Sequence, residues 1–223
     1  MRPSVFRGIR LVFCKEAVTG LRFKASWLTM LMFALTALSC VSLSLRGAAA
    51  EAELQAALLW VVLFFSAMTG VDRLFADESM AGTLLTLQVC GEAQAVLFGK
   101  MLYAFFLLLA MAFFAVPLFL ILLDAPVHSL PVLLLAVLLG VAGLAAAGTF
   151  LAALAAGAHV KSGLFPVLML PVLLPVLLPA IAVTAEAFSG KPPSLPYLGG
   201  MAIYDVLLAL GASVLFDYFW YED

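Results

Sequence analysis

Apolar residues fill six runs of about 20 positions along this chain, and short polar segments between the runs hold most of its charges. A helix rises ~1.5 Å per residue, so such a run crosses the ~30 Å hydrocarbon core of a bilayer. The pattern predicts an all-α polytopic membrane protein with six transmembrane helices. The predicted spans are 25–45, 54–71, 101–123, 132–156, 164–184 and 198–216.

Composition supports this fold class, because the 223 residues are 66% hydrophobic and only 11% charged. A soluble domain of this length would place more charge on its surface. Net charge is −2, so the chain has no general attraction for nucleic acid. We expect no nucleic-acid partner.

Basic residues are distributed unevenly between the two sides of this topology. With the amino terminus in the cytoplasm, nine of the 11 Lys and Arg residues lie inside and two lie outside. The positive-inside rule favours this orientation, with both termini cytoplasmic. The inner nine are Arg2, Arg7, Arg10, Lys15, Arg22, Lys24, Arg73, Lys100 and Lys161, and the outer two are Arg46 and Lys191.

The first 24 residues precede the first span and show helical spacing of apolar side chains. Val5, Phe6, Ile9, Val12 and Phe13 recur at that spacing, with basic residues between them. We expect an interfacial helix within 1–24, its apolar side toward the membrane and its basic side toward lipid phosphates. The alternative is a disordered basic leader that only sets the topology.

The longest segment between spans is 72–100, which is acidic overall and rich in leucine. We expect a short helix over 77–88 that presents a protruding apolar surface to a cytoplasmic partner. Gly82 and Gly91 would allow sharp turns. The alternative is a solvated turn. The segment contains no phosphate-binding G-x-x-x-x-G-K-[ST] motif, so energy from nucleotide hydrolysis must come from a separate subunit.

The run from Phe75 to Leu87 (FADESMAGTLLTL), followed by Gly99-Lys100, resembles the first cytoplasmic loop of ABC-2-type exporter permeases. Together with the length, the six spans and a proline-rich fifth span, it resembles the haem exporter protein B family (CcmB). The resemblance implies an ABC-2 (type V exporter-like) architecture and one transmembrane permease domain over 1–223, in which loop 72–100 couples to an ATPase. The implied coupling residues are Phe75, Asp77, Glu78, Gly82, Thr83, Leu84 and Leu87.

The resemblance also implies partners and a location. A cytoplasmic ATP-binding subunit would bind ATP, so this chain would bind no cofactor directly, and haem is a candidate substrate. Other implied partners are a haem-handling membrane protein, a small membrane subunit and a periplasmic haem chaperone. A homodimer in the bacterial inner membrane is expected. Two alternatives stay open: an ABC-2 permease for a drug, glycan or peptide, and a non-transporting scaffold of the maturation complex.

Polar and special residues within the spans give further candidates. Pro171, Pro175 and Pro179 are four apart, so they share one helix face that we expect to point into the bundle or a dimer interface. This face would give a kinked or broken span able to change shape, and the alternative is an ordinary kinked helix with no switching role. Gly143 belongs to a stripe of small residues expected to permit close helix packing. Asp205 is an acidic residue deep in span six, where a hydrogen bond to a neighbouring span or a functional role should compensate its charge.

The chain's two histidines, His128 and His159, are expected to be solvated loop residues, with haem ligation by His128 as the alternative. The sequence shows no paired carboxylates, metal-ligand cluster or nucleophilic constellation. We therefore expect no catalytic or metal site, and a non-enzymatic subunit.

Overall fold

The structure is a computed structural model that describes residues 5–22, 25–45, 50–80, 82, 91–157 and 165–220. These residues form eight α-helices. The helices are α1 (Val5–Arg22), α2 (Ala25–Leu45), α3 (Ala52–Val71), α4 (Arg73–Met80), α5 (Ala93–Leu123), α6 (Leu130–Gly157), α7 (Phe165–Ser189) and α8 (Leu195–Trp220).

The six predicted spans are confirmed as six helices long and apolar enough to cross a membrane. Their bounds follow the prediction closely for α2, α3 and α6. The main difference is α5, which begins at Ala93 where the prediction began at 101. The prediction places Lys100 just outside that span, but the structure buries it within the helix. The charge of Lys100 is neutralised at this position, so the buried part of α5 continues on both sides of this residue.

Helices α3 and α6 lie at the centre of the bundle, and their neighbours are arranged around them. Helix α3 contacts α2 and α7, while α6 contacts α5, α7 and α8. A buried hydrogen bond from Trp60 Nε1 to Thr184 Oγ1, 2.9 Å long, joins α3 to α7. Large apolar side chains on α2, α5, α7 and α8 remain exposed, as expected for surfaces that face lipid or another protein.

Glycines in α6 allow the central helices to approach closely, as the small-residue stripe predicted. A Cβ atom on Gly140 would lie 2.0 Å from the Trp60 ring, and one on Gly148 would lie 2.7 Å from Val71. At Gly143 the close neighbours are Asp205 and Val176. These positions have no room for a side chain unless a neighbouring side chain or helix moves.

The amino-terminal helix α1 is confirmed as a helix, but its predicted orientation is partly wrong. Its inward face packs along the first turns of α5, where Val12 lies against Gly99 and the Phe13 ring meets Phe106 edge-on. Ile9, Val12 and Phe13 are partly buried there, so they contact protein. Gly8 and Gly99 explain this contact, because helices approach closely where Cβ atoms are missing.

Helix α1, the start of segment 72–100 and the carboxyl-terminal part of α8 lie at one end of the bundle. The Phe75 ring at the start of the 72–100 segment lies 6.1 Å from the ring of Phe216 near the end of α8. Helix α1 contacts the amino-terminal turns of α5 at this same end. The cytoplasmic assignment of this end remains a prediction from the charge distribution.

Candidate functional site

Lys100 lies two turns inside α5, and its side chain has no exposed surface. Its Nζ lies 2.7 Å from Glu16 Oε1 and 2.9 Å from Glu78 Oε2, and it also donates to the carbonyl oxygen of Leu74. An ammonium group has three hydrogens. Lys100 donates hydrogen bonds to Glu16 and Leu74 and forms an ion pair with Glu78. The same Nζ lies 4.6 Å from the centre of the Phe75 ring.

Lys15 completes the arrangement from the solvent side. Its ammonium pairs with Glu78 and lies 3.1 Å from Glu16 Oε1, while 46% of its side chain stays exposed. Two cations and two carboxylates therefore meet with no net charge. We call Lys15, Glu16, Glu78 and Lys100 the ion cluster. It connects three elements that are separate in sequence: α1, α4 and α5.

The charges of the ion cluster alter the pKa values of its outer members. Burial raises the pKa of Glu78, but Lys100 and Lys15 outweigh burial, so the pKa of this carboxyl falls below its ordinary value. Burial lowers the pKa of Lys15, and the hydrogen bond and attraction of Glu78 together with Glu16 reverse the sign, so its pKa rises. Both groups are therefore held in their charged forms at neutral pH.

Helix α4 reaches the ion cluster because apolar side chains anchor its first turn. Leu74 and Phe75 are buried, and α4 contacts both α3 and α6. Glu78 follows Leu74 by four residues, so both lie on the same side of the helix, toward Lys100. The sequence of α4 thus places one carboxylate over the buried ammonium.

The structure locates the predicted coupling residues only in part. Glu78 is a member of the ion cluster, and the ring of Phe75 lies against the ammonium of Lys100. Asp77 lies in α4 between these two residues in the sequence. Gly82 is exposed, and its φ of 67° is left-handed. Thr83, Leu84 and Leu87 lie outside the described residues.

The prediction of one helix over 77–88 is wrong in its bounds. The helix in this region is α4, which spans Arg73–Met80. The left-handed backbone of Gly82 cannot continue an α-helix, and glycine adopts it without steric cost. The predicted sharp turn at Gly82 is therefore present, but it comes after α4. Residues 83–90 lie outside the described residues.

The proline face of α7 does not point into this chain's own bundle. Pro171 and Pro175 are exposed and Pro179 is partly buried, whereas Leu173 and Val176 on the opposite side are buried. Met169, Leu173 and Val176 take the inward positions, while Leu174 and Leu178 lie outward with the prolines. A dimer interface at these prolines remains a prediction. Helix α7 continues through all three prolines.

Asp205 does not make the predicted hydrogen bond to a neighbouring span within the described residues. Both its carboxylate oxygens are buried without a hydrogen-bond partner there, and Oδ1 would lie 2.6 Å from a Cβ on Gly143. The adjacent Tyr204 makes the bond instead, because its hydroxyl donates to the carbonyl oxygen of Val172 at 2.7 Å. Asp205 thus packs closely against α6, and Tyr204 joins α8 to α7.

His128 is an exposed loop residue, as predicted, and it also anchors the loop before α6. Its Nδ1 lies 2.6 Å from the carbonyl oxygen of Phe188, and its backbone N–H donates to the carbonyl of Ala187. A carbonyl only accepts, so Nδ1 donates in this pair. His159 lies outside the described residues. Among the residues that the structure describes, no group of three His, Cys, Asp or Glu could hold a metal ion.

Sequence reasoning missed Lys15, Glu16 and Lys100 as site residues, although the sequence contains a signal for them. Glu16 follows Val12 and Phe13 by four and three residues, so the acid of this basic helix falls on its apolar side. A charged residue on an apolar face requires a partner of opposite charge. Lys100, between Gly99 and an apolar run, was the corresponding cation.

A comparison with protein families matches residues 8–215 of this chain to the family described as CcmB protein. The match includes the first five predicted spans, all but the last residue of the sixth, and each member of the ion cluster. A search of curated protein sequences found no match.

Proposed function

Because this chain belongs to the CcmB family, we propose that it is the permease subunit of an ABC transporter used in c-type cytochrome biogenesis. The chain is a multi-pass membrane component of the haem export and cytochrome c maturation system. We further propose a division of labour, in which a separate cytoplasmic ATP-binding subunit hydrolyses ATP and this chain changes conformation in response. In this proposal the chain itself is not a catalyst.

The observation that carries the proposal is the ion cluster. Glu78 lies on the segment that follows span two, and its partner Lys100 lies near the start of span three. A force applied to α4 would therefore act on span three directly through a buried ion pair. Glu16 extends the same connection to α1. This geometry suits a segment that receives movement from another protein and passes it to the membrane helices.

The proposed work of the transporter is release of a haem-loaded chaperone, with haem as the candidate substrate of the system. A groove of about 510 Å³ lies at the end of the bundle opposite the ion cluster, between α3 and α7. Its lining includes Glu51, Glu53 and Glu186 beside one cation, Lys191. Haem carries two carboxylates, which these acids would repel. The groove therefore does not favour a haem-binding role, and we do not place haem there.

The proposed assembly is a homodimer in the bacterial inner membrane, together with the ATP-binding subunit and other maturation proteins. A transporter of this type requires two membrane halves, and this chain has the six spans of one half. The exposed proline face of α7 offers one surface for the second copy. Backbone carbonyls freed by proline are tolerated at membrane depth only against protein or water.

Affinity purification from native membranes, followed by mass spectrometry, tests the proposal. We expect an ABC-type ATP-binding protein and cytochrome c maturation proteins to co-purify with the tagged chain. The Lys100→Met variant should retain the membrane partners and lose much of the ATP-binding protein. Recovery of an unrelated transport ATPase would support a permease for another substrate. Recovery of maturation proteins with no ATPase would support a scaffold.

A further inference from the structure

Helix α1 presents an outward face that no described part of the chain covers. Its inward face contacts α5, whereas four large apolar side chains point away from the bundle. Their exposures are 86% for Phe6, 60% for Leu11, 64% for Val18 and 70% for Leu21. Such a density of exposed apolar surface on one short helix is typical of an interaction surface.

The same face is strongly basic. Arg7, Arg10, Lys15 and Arg22 are exposed among the apolar residues. The acidic residue of α1, Glu16, is buried against Lys100 on the opposite side. The outward face of α1 therefore combines apolar side chains with cations and has no carboxylate of its own. This combination complements a layer of anionic groups next to an apolar phase.

The length of α5 allows α1 to lie at the depth of the lipid headgroups. Helix α5 has 31 residues and is therefore about 46 Å long, which exceeds the ~30 Å hydrocarbon core. Its exposed large apolar residues begin at Leu102 and continue to Leu122. We take the excess length to lie at the end of α5 that carries the ion cluster, where Gly8 and Val12 of α1 contact Ala95 and Gly99.

The outward face of α1 is also continuous with the lipid-facing surface of the bundle. Phe13 of α1 meets the ring of Phe106, which is 50% exposed on the outside of α5. Lipid that covers Phe106 would thus reach the edge of α1. Arginine side chains at this level extend their charged ends to phosphates while their methylene groups lie along the apolar boundary.

We propose that the outward face of α1 is a binding surface for anionic phospholipid headgroups. Phe6, Leu11, Val18 and Leu21 enter the boundary between headgroups and acyl chains. Arg7, Arg10 and Arg22 pair with lipid phosphates, and a negatively charged headgroup adds attraction that a zwitterionic one lacks. The surface does not depend on the identity of the transported substrate.

The exposed thiol of Cys14 on this face provides a local probe. The full chain, with Cys40→Ser and Cys90→Ser, would be labelled at Cys14 with an environment-sensitive fluorophore and reconstituted in lipid nanodiscs. Phosphatidylglycerol would then be increased stepwise in a phosphatidylcholine background. We expect the fluorescence to shift to that of an apolar environment as phosphatidylglycerol increases, and high salt to weaken the shift.

Arg7→Gln and Arg10→Gln should each weaken the response to phosphatidylglycerol by about fivefold, since one basic side chain near an anionic leaflet contributes ~1 kcal/mol. Arg73→Gln is the matched control, because Arg73 is exposed on α4 and not on α1; it should leave the titration unchanged. An equal signal with and without phosphatidylglycerol would overturn the proposal. So would shielding of Cys14 that appears only when the ATP-binding partner is added, since the face would then be a protein interface.

Discussion

Lys100 and Glu78 form an ion pair with 2.9 Å between Nζ and Oε2, in a site where the lysine has no exposed surface. Ionised groups are costly to bury, so such a pair persists only when both partners are present and satisfied. The pair joins α4 to span three, and Glu16 joins α1 to the same ammonium. The three elements should therefore keep their relative positions or lose them together.

Replacement of Lys100 should destabilise the protein strongly. Lys100→Met leaves Glu16 and Glu78 without their buried partner, and removal of one member of such a pair costs about 3–5 kcal/mol. Lys15→Met is the matched control, because this lysine is 46% exposed and an exposed pair contributes about 1 kcal/mol or less. Thermal unfolding in detergent, followed by tryptophan fluorescence, measures both. Equal Tm values for the two variants would contradict a dominant role for Lys100.

A compensated variant separates charge from packing. Lys100→Met combined with Glu16→Gln and Glu78→Gln removes the buried ammonium together with both carboxylates and leaves only the half-exposed Lys15 charged, so much of the loss in Tm should be recovered. The triple variant should nonetheless show impaired cytochrome c maturation, because no ion pair would then connect α4 to span three. Wild-type maturation activity at normal protein levels in this variant would show that the ion cluster has no coupling role.

The ion cluster should make the folded protein less stable at both acid and alkaline pH. The pKa of Glu78 lies below its ordinary 4.5, so its contribution is present above pH 4.5 and is lost as pH falls through the lower folded value. The pKa of Lys15 lies above 10.5, so its contribution is present below pH 10.5 and is lost as pH rises through the higher folded value. Tm measured against pH should fall at both extremes.

Glu78→Gln should reduce the acid-side fall in Tm, because glutamine does not titrate. Glu53→Gln serves as the control, since Glu53 is exposed at the other end of the bundle. If Glu78→Gln left the acid-side fall unchanged, another group would be responsible for it.

Gly140→Ala should destabilise the central contact between α3 and α6. The new Cβ would lie 2.0 Å from the Trp60 ring, which its hydrogen bond to Thr184 holds in place. Overpacking of this kind costs about 1–3 kcal/mol. Gly211→Ala is the matched control, because nothing lies within 4 Å of its Cβ position and alanine favours a helix by up to about 1 kcal/mol. Lower Tm for Gly140→Ala and unchanged or higher Tm for Gly211→Ala is the expected result.

The proline face of α7 should influence function more than folding. Pro171→Ala and Pro175→Ala restore two backbone N–H groups and should stiffen the helix. The double variant is expected to reach normal protein levels with lower ATPase and maturation activity. Wild-type activities in the double variant would remove the proposed role of this face in a conformational change.

The apolar runs were enough to predict the six spans, because membrane thickness fixes helix length and the runs have few interruptions. The ion cluster was not predicted, because it depends on contacts between residues far apart in sequence. Lys100 looked like a span boundary until the structure placed Glu16 and Glu78 beside it. The outward direction of Pro171 and Pro175 was also not predictable, since helix spacing shows which residues share a face but not what that face contacts.

The central claim is that segment 72–100 receives movement from an ATP-binding protein, and site-specific photo-cross-linking in native membranes tests it most directly. A photoreactive amino acid at Leu84 should capture an ABC-type ATP-binding protein, whereas one at Leu195, at the opposite end of the bundle, should not. Capture should also become weaker in the Lys100→Met background at matched protein levels. Absence of any captured ATP-binding protein from Leu84, or equal capture from Leu195, would contradict the claim.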